Sequence, residues 1–284
     1  MKLLLSAFLC VLLLNAQAQP LHVDLYLGAA NYQGDLQTKR FDLSQSKPAI
    51  GLGLSYDLTN KFIVRGAANY MKVSGRDEQG VAAKDVAFRN LSFRSSVFEA
   101  QLGLEYNFLD IEERGFSPYV FGGVAVFHFN PYAYDSANNK VFLRTLGTEG
   151  QGLAQYPEKK LYSNNQFAIP FGGGVKLALT DKLQVGIELG LRKLFTDYLD
   201  DVSGTYADSS ILAAGRGARA AAFAFRGSEI SGSTGYPAAG SIRGNAKNKD
   251  WYYTTGIKVS YALGRGGGGM GGRKSKVGCP TNVY

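Results

Sequence analysis

Val97-Phe98-Glu99-Ala100-Gln101-Leu102-Gly103-Leu104-Glu105-Tyr106-Asn107-Phe108 alternates without a break. Phe98, Ala100, Leu102, Leu104, Tyr106 and Phe108 fall on one side; Val97, Glu99, Gln101, Gly103, Glu105 and Asn107 fall on the other. A repeat of two is the side-chain period of a β-strand and not of a helix. One side is apolar and the other carries two carboxylates, so the strand separates a greasy medium from a polar one.

The same pattern recurs through the chain, over 21–30, 50–56, 62–70, 167–177, 183–192 and 252–263. Residues 119–129 are apolar on both sides and read as a strand from length and β propensity. Eight strands of roughly ten residues result, the length a tilted strand needs to cross a bilayer. The gaps alternate: long at about 32–47, 72–95, 130–165 and 194–250, short at 57–61, 109–118 and 179–182. Strict alternation of this kind is the mark of an outer-membrane barrel, with tight periplasmic turns, long outer loops and both termini on the periplasmic side. The expected fold is therefore all-β: an eight-stranded antiparallel transmembrane barrel occupying 19–263.

Leu, Val, Ile and Phe, with tyrosines toward the strand ends, form the side that meets lipid. Asp24, Arg65, Glu99, Glu105, Glu188 and Arg192 lie on the opposite side, accompanied by Gln101, Lys176 and Lys258, and are expected to pair inside the barrel. An eight-stranded barrel is filled by its own side chains, which argues against bulk flow through it.

Residues 1–18 have the form of a secretory signal: Lys2, an apolar run from Leu3 to Leu14, and Ala16-Gln17-Ala18 as a small-x-small cleavage site. The run is too short to span a bilayer. A lipoprotein signal at Cys10 is the rival reading, and Ala7-Phe8-Leu9 makes a poor lipobox before it. Cleavage before Gln19 leaves Cys279 as the lone cysteine and a formal charge of 31 − 1 − 23 = +7. After residue 19 no apolar stretch reaches the ~18 residues of a membrane helix.

Residues 264–284 form a Gly-rich basic tail with Arg265, Arg273, Lys274 and Lys276 ahead of Cys279, expected to hang into the periplasm. A lone cysteine in an exported chain is either a free thiol or an intermolecular partner, and nearby cations favour its thiolate. Asp197, Asp200, Asp201 and Asp208 cluster in the last long loop, where carboxylates could hold Ca²⁺ or pin the loop by turn chemistry. The two histidines, His22 and His128, lie on strands, with His22 at the periplasmic end. Ser209 to Arg226 is Ala-rich and suits a helix that Gly215 and Gly217 weaken. The Gly-rich runs have no Walker Lys-Ser/Thr, and there is no G-x-S-x-G elbow. Composition therefore points to no catalysis, cofactor, metal, small-molecule substrate or nucleic acid.

Several strings together resemble one family: GAANYQGDLQ (28–37), RNLSFRSSVFEAQLGLEYNF (89–108), FSPYVFGGVAVFHFNP (116–131), LGTEGQGL (146–153), FTDYLDDVSGTY (195–206) and RGNAKNKDWYYTTGIKVSYAL (243–263). The chain resembles the PorG family, an outer-membrane barrel component of the Bacteroidetes type IX secretion system. That resemblance implies a non-catalytic anchor for the periplasmic ring made of a lipoprotein and its ring partner. It also implies that Cys279 is a candidate for a covalent link to the ring lipoprotein. The partners expected are thus outer-membrane lipids and the ring. A surface enzyme using Asp200 and Asp201, and a small porin or adhesin-like barrel, are the alternatives.

Overall fold

The computed structural model describes residues 21–37, 43–77, 89–230 and 235–263. The secretory segment 1–18 and the tail, with Cys279, Arg265, Arg273, Lys274 and Lys276, lie outside the described residues.

Ten strands form one sheet. They are β1 (Leu21–Gln33), β2 (Lys47–Asp57), β3 (Phe62–Arg76), β4 (Ser92–Asn107) and β5 (Phe116–Phe129), then β6 (Tyr132–Tyr134), β7 (Lys140–Phe142), β8 (Asn165–Ala178), β9 (Leu183–Leu194) and β10 (Trp251–Ala262). Eight of them close a barrel, each pairing antiparallel with the next and β1 returning to β10. β6 and β7 are a short hairpin that continues the wall from Arg94, which is in register with Tyr132.

Alternation places the two sides as the period requires. Ile187 is 71% exposed and Phe167 66%, and Leu52, Leu102, Leu104 and Val124 are exposed with them on the outside. A continuous belt of this kind is stable against hydrocarbon and not against water. Asp24, Arg65, Glu99, Glu105, Glu188 and Arg192 are buried inside. In β5 the side that sequence leaves undecided resolves: Val120, Val124 and Val126 face out, and Tyr119, Phe121, Phe127 and Phe129 face in. The interior is narrow. Gly28 and Gly256 stand opposite each other, and a Cβ on either would strike a backbone carbonyl, Thr255 for Gly28 and Leu27 for Gly256.

The short turns repeat one device. Thr59 Oγ1 accepts from the backbone of Lys61 and Phe62, and Thr180 Oγ1 accepts from Lys182 and Leu183. These are hydroxyl-pinned turns. The third short connection holds α1 (Ile111–Arg114), whose first turn is capped by Asp110 and which ends at Gly115 with φ +76°. His22 pairs with Asp57 at this same end, 3.0 Å apart.

At the other end the wall is taller than the alternation indicates. β3 continues to Arg76 and β4 begins at Ser92, so the 72–95 gap is partly strand. The 130–165 gap contains β6, β7 and α2 (Leu143–Leu146). Strands of 15 and 16 residues exceed the 9–11 that cross a bilayer. The surplus reaches the cap. In β3 Val73, Ser74 and Gly75 are all buried and the period is lost. β4 keeps it from Phe93 to Val97, with Arg94 exposed on the outer side. In the cap, 209–226 forms two helices, α3 (Ser209–Arg216) and α4 (Ala218–Ala224), broken at Gly217 with φ +91°.

Candidate functional site

Two buried polar assemblies are stacked along the barrel. In the lower one Arg65 lies between two carboxylates: Nη1 donates to Glu188 Oε2 at 2.7 Å and to Glu105 Oε2 at 3.3 Å, and Nη2 donates to Glu188 Oε1 at 3.1 Å. Lys176 donates to Glu105 at 2.6 Å, and Lys258 sits 3.3 Å from Glu105 and 3.4 Å from Asp24. Tyr119 donates to Glu188, and the Arg65 guanidinium covers the Phe121 ring at 4.2 Å. Three acids thus meet three bases. Burial of any one charge alone costs several kcal/mol, which the partners offset. A cavity among these side chains measures about 20 Å³, room for about one water.

Just above, Glu99 accepts from Arg192 Nε and Nη2 at 3.2 and 3.1 Å, from Asn69 at 2.8 Å and from Tyr252 at 2.6 Å. Arg192 also donates to Thr254 Oγ1. An apolar plug of Tyr32, Phe93, Phe127, Phe129, Leu194 and Leu199 closes the barrel over this level.

The cap forms the second assembly, and its residues come from strings far apart in sequence. Arg243, 2% exposed, donates to Glu149 Oε1 at 3.0 Å and to the carbonyls of Asp201 and Ala224 at 2.6 and 3.1 Å. Glu149 also accepts from the backbone of Ser203 and Gly204 and from the Tyr198 hydroxyl. Asp201 accepts from Thr148 at 2.6 Å and Tyr162 at 2.7 Å. Arg89 reaches the carbonyls of Arg243 and Asp35 and the carboxylate of Asp77. Lys159 donates to the carbonyls of Glu149 and Thr205. The strings 28–37, 89–108, 146–153, 195–206 and 243–263 therefore meet in one knot.

The acidic cluster is not a surface feature. Asp197, Asp200 and Asp201 are buried, and Asp208 instead caps α3 by accepting from Ser210 and Ile211. Such a cap is worth about 1 kcal/mol. Tyr32 donates to Asp200 at 2.5 Å and lies 3.2 Å from Asp250. Asp250 also accepts from Leu199 N, and Asp200 from Val202 N. Among the described residues, no group of three His, Cys, Asp or Glu side chains is placed to hold a metal ion. Asp200 and Asp201, each 1% exposed, are sealed from surface substrates, so they are not the exposed pair that the alternative of a surface enzyme requires. Sequence reading missed Tyr32, Glu149, Arg243 and Asp250. Their only signal was membership of the strings quoted above.

Burial pushes the carboxyl of Asp197 up to about 7 and that of Asp201 up to about 6. Burial also raises Asp200 and Asp250 well above the usual carboxylate range; for Asp250 its acidic neighbours Asp200 and Asp197 add to the effect. The folded cap therefore keeps protons that unfolded loops release above about pH 4. Stability from these groups is complete below that point and is lost as pH climbs through about 6 and 7. Amide exchange of 195–206 and 243–250, corrected for its intrinsic rate, should quicken between about pH 5 and about pH 8. Asp197→Asn with Asp201→Asn should flatten the trend, and equal slopes in both proteins would refute this assignment.

The sequence profile of a family described as Domain of unknown function (DUF6089) matches residues 1–230. Among curated proteins no sequence matches the chain. Several solved structures are similar to it at low identity. Ail, the attachment invasion locus protein of Yersinia pestis, in complex with the heparin analogue sucrose octasulfate, is 7% identical over 87% of this chain and 100% of its own, with a TM-score of 0.41. Neisserial surface protein A is 8% identical over 85% and 96%, with a TM-score of 0.41. A major outer membrane protein from Thermus thermophilus is 11% identical over 86% and 99%, with a TM-score of 0.42. Similarity at this level assigns no activity.

Proposed function

Because the chain belongs to the family described as Domain of unknown function (DUF6089), for which no reaction is named, we propose a role read from its architecture and its sequence resemblance: a non-catalytic outer-membrane anchor. In this reading it serves a PorG-like type IX secretion system and holds the periplasmic ring through residues 264–284. The observation that carries the reading is the filled barrel. Ion pairs occupy its lower level, an apolar plug lies above them, and a packed cap covers both. With little free volume in the lumen and the buried acids sealed, function falls to the outer surfaces and the terminal segment.

Cys279, with Arg265, Arg273, Lys274 and Lys276 near it in sequence, is the proposed contact with the ring lipoprotein. A disulfide would make even a weak contact persistent. Non-reducing electrophoresis of envelopes should show a heavier species that collapses on reduction and vanishes in Cys279→Ser. Monomer alone under both conditions would remove the covalent link. Cross-linked pull-down of the intact chain should recover ring proteins that a chain truncated after Leu263 does not. Equal recovery by the two would remove the tail from the contact.

A further inference from the structure

The outward side of β3 and β4 carries an ordered track. Ala68 stands opposite Ala100, Tyr70 opposite Phe98, Lys72 opposite Ser96 and Ser74 opposite Arg94. The small pair leaves a hollow in the wall, part of a groove of about 700 Å³ lined by Ile50, Leu52, Tyr70, Phe98 and Val126. Tyr70 and Phe98 pack 4.7 Å apart on its long-loop side. Beyond them come the cations. At the rise of an extended strand, Lys72 lies about 7 Å past Tyr70 and Arg94 about 13 Å past Phe98.

The β6–β7 hairpin adds Lys140 to the same surface. Arg94 is in register with Tyr132, and Tyr134 with Lys140. Lys140 Nζ sits 3.9 Å over the Tyr132 ring and Arg94 Cζ 5.3 Å over that of Tyr134. Lys72, Arg94 and Lys140 are exposed, and among the described residues none has a carboxylate within ion-pair distance. The nearby acid of the hairpin turn, Asp135, is engaged by Ala137, Asn139 and Arg219. Stacking on rings fixes the cations while leaving donor groups free.

An apolar hollow, an aromatic step and unneutralised cations, in that order toward the long-loop end, match an acyl chain, the membrane interface and a phosphate. We propose that this face binds a phosphorylated, multiply acylated glycolipid of the outer leaflet, with one chain in the Ala68–Ala100 hollow and its phosphates on Lys72, Arg94 and Lys140. The assignment of the leaflet rests on the orientation adopted above, with the long loops outside.

Native mass spectrometry of the full chain in neutral detergent, titrated with bisphosphoryl lipid A, its dephosphorylated form and phosphatidylglycerol, tests the site. Retention of the bisphosphoryl glycolipid in preference to the other two is expected. Its affinity should fall on the order of a hundredfold in a Lys72→Ala, Arg94→Ala, Lys140→Ala variant. Ala100→Leu, which leaves the charges in place, should weaken binding by filling the hollow. Undiminished binding by the triple variant, or equal retention of all three lipids, would overturn the proposal. The Cys279 electrophoresis is indifferent to these substitutions, so failure of the lipid site and failure of the anchor role are read separately.

Discussion

Glu105→Leu should lower the stability of the barrel by about 3–5 kcal/mol, the usual cost of leaving buried charges unpaired. Glu105 is 1% exposed and receives Lys176 at 2.6 Å, Arg65 at 3.3 Å and Lys258 at 3.3 Å. Its removal leaves those three cations facing only Asp24 and Glu188. The chain has one tryptophan, Trp251, at the start of β10. Urea unfolding in lipid vesicles, followed by its fluorescence, therefore reports the wall. Adding Lys176→Met removes one charge of each sign, and most of the loss should return. A single variant as stable as the parent would mean that water reaches the lumen and screens it.

Arg243→Met should act on the cap and spare the wall. The guanidinium makes bonds to Glu149 and to two carbonyls from separate segments. Burial opposes its charge, but Glu149 and then Asp201 outweigh burial and hold its pKa above the ordinary arginine value. Methionine fills the volume and leaves Glu149 buried without a counter-charge, at about 3–5 kcal/mol. Trypsin added from the loop side should then cut at Arg216, Arg219 or Arg226, while the heat-sensitive mobility of the folded barrel on gels is unchanged. Arg243→Lys should rescue little, because one ammonium cannot reproduce the planar fork. Resistance of Arg243→Met to trypsin would show that the apolar contacts of α3 and α4 hold the cap without it.

The wall was legible in sequence for a local reason. Each strand such as Val97 to Phe108 states its own period, and lipid on one side with paired charges on the other enforces it. The cap follows no such rule. Tyr32 and Asp200 are 168 positions apart and Glu149 and Arg243 are 94, and no spacing in a single sequence links them. β6 and β7, of three residues each, are too short to show alternation. The acidic cluster was visible by type, yet whether Asp197, Asp200 and Asp201 face water or each other depends on chain segments arriving from elsewhere. Gly217 was readable as a weakness in the 209–226 helix, and it is where that helix divides.

The interlocked cap also determines how the protein resists force. Arg243, Glu149, Asp201 and Arg89 tie together segments that leave different strands. A pull on one strand from the opposite end therefore loads those ties as well as its ladder, and the strand slips out only after the cap has melted.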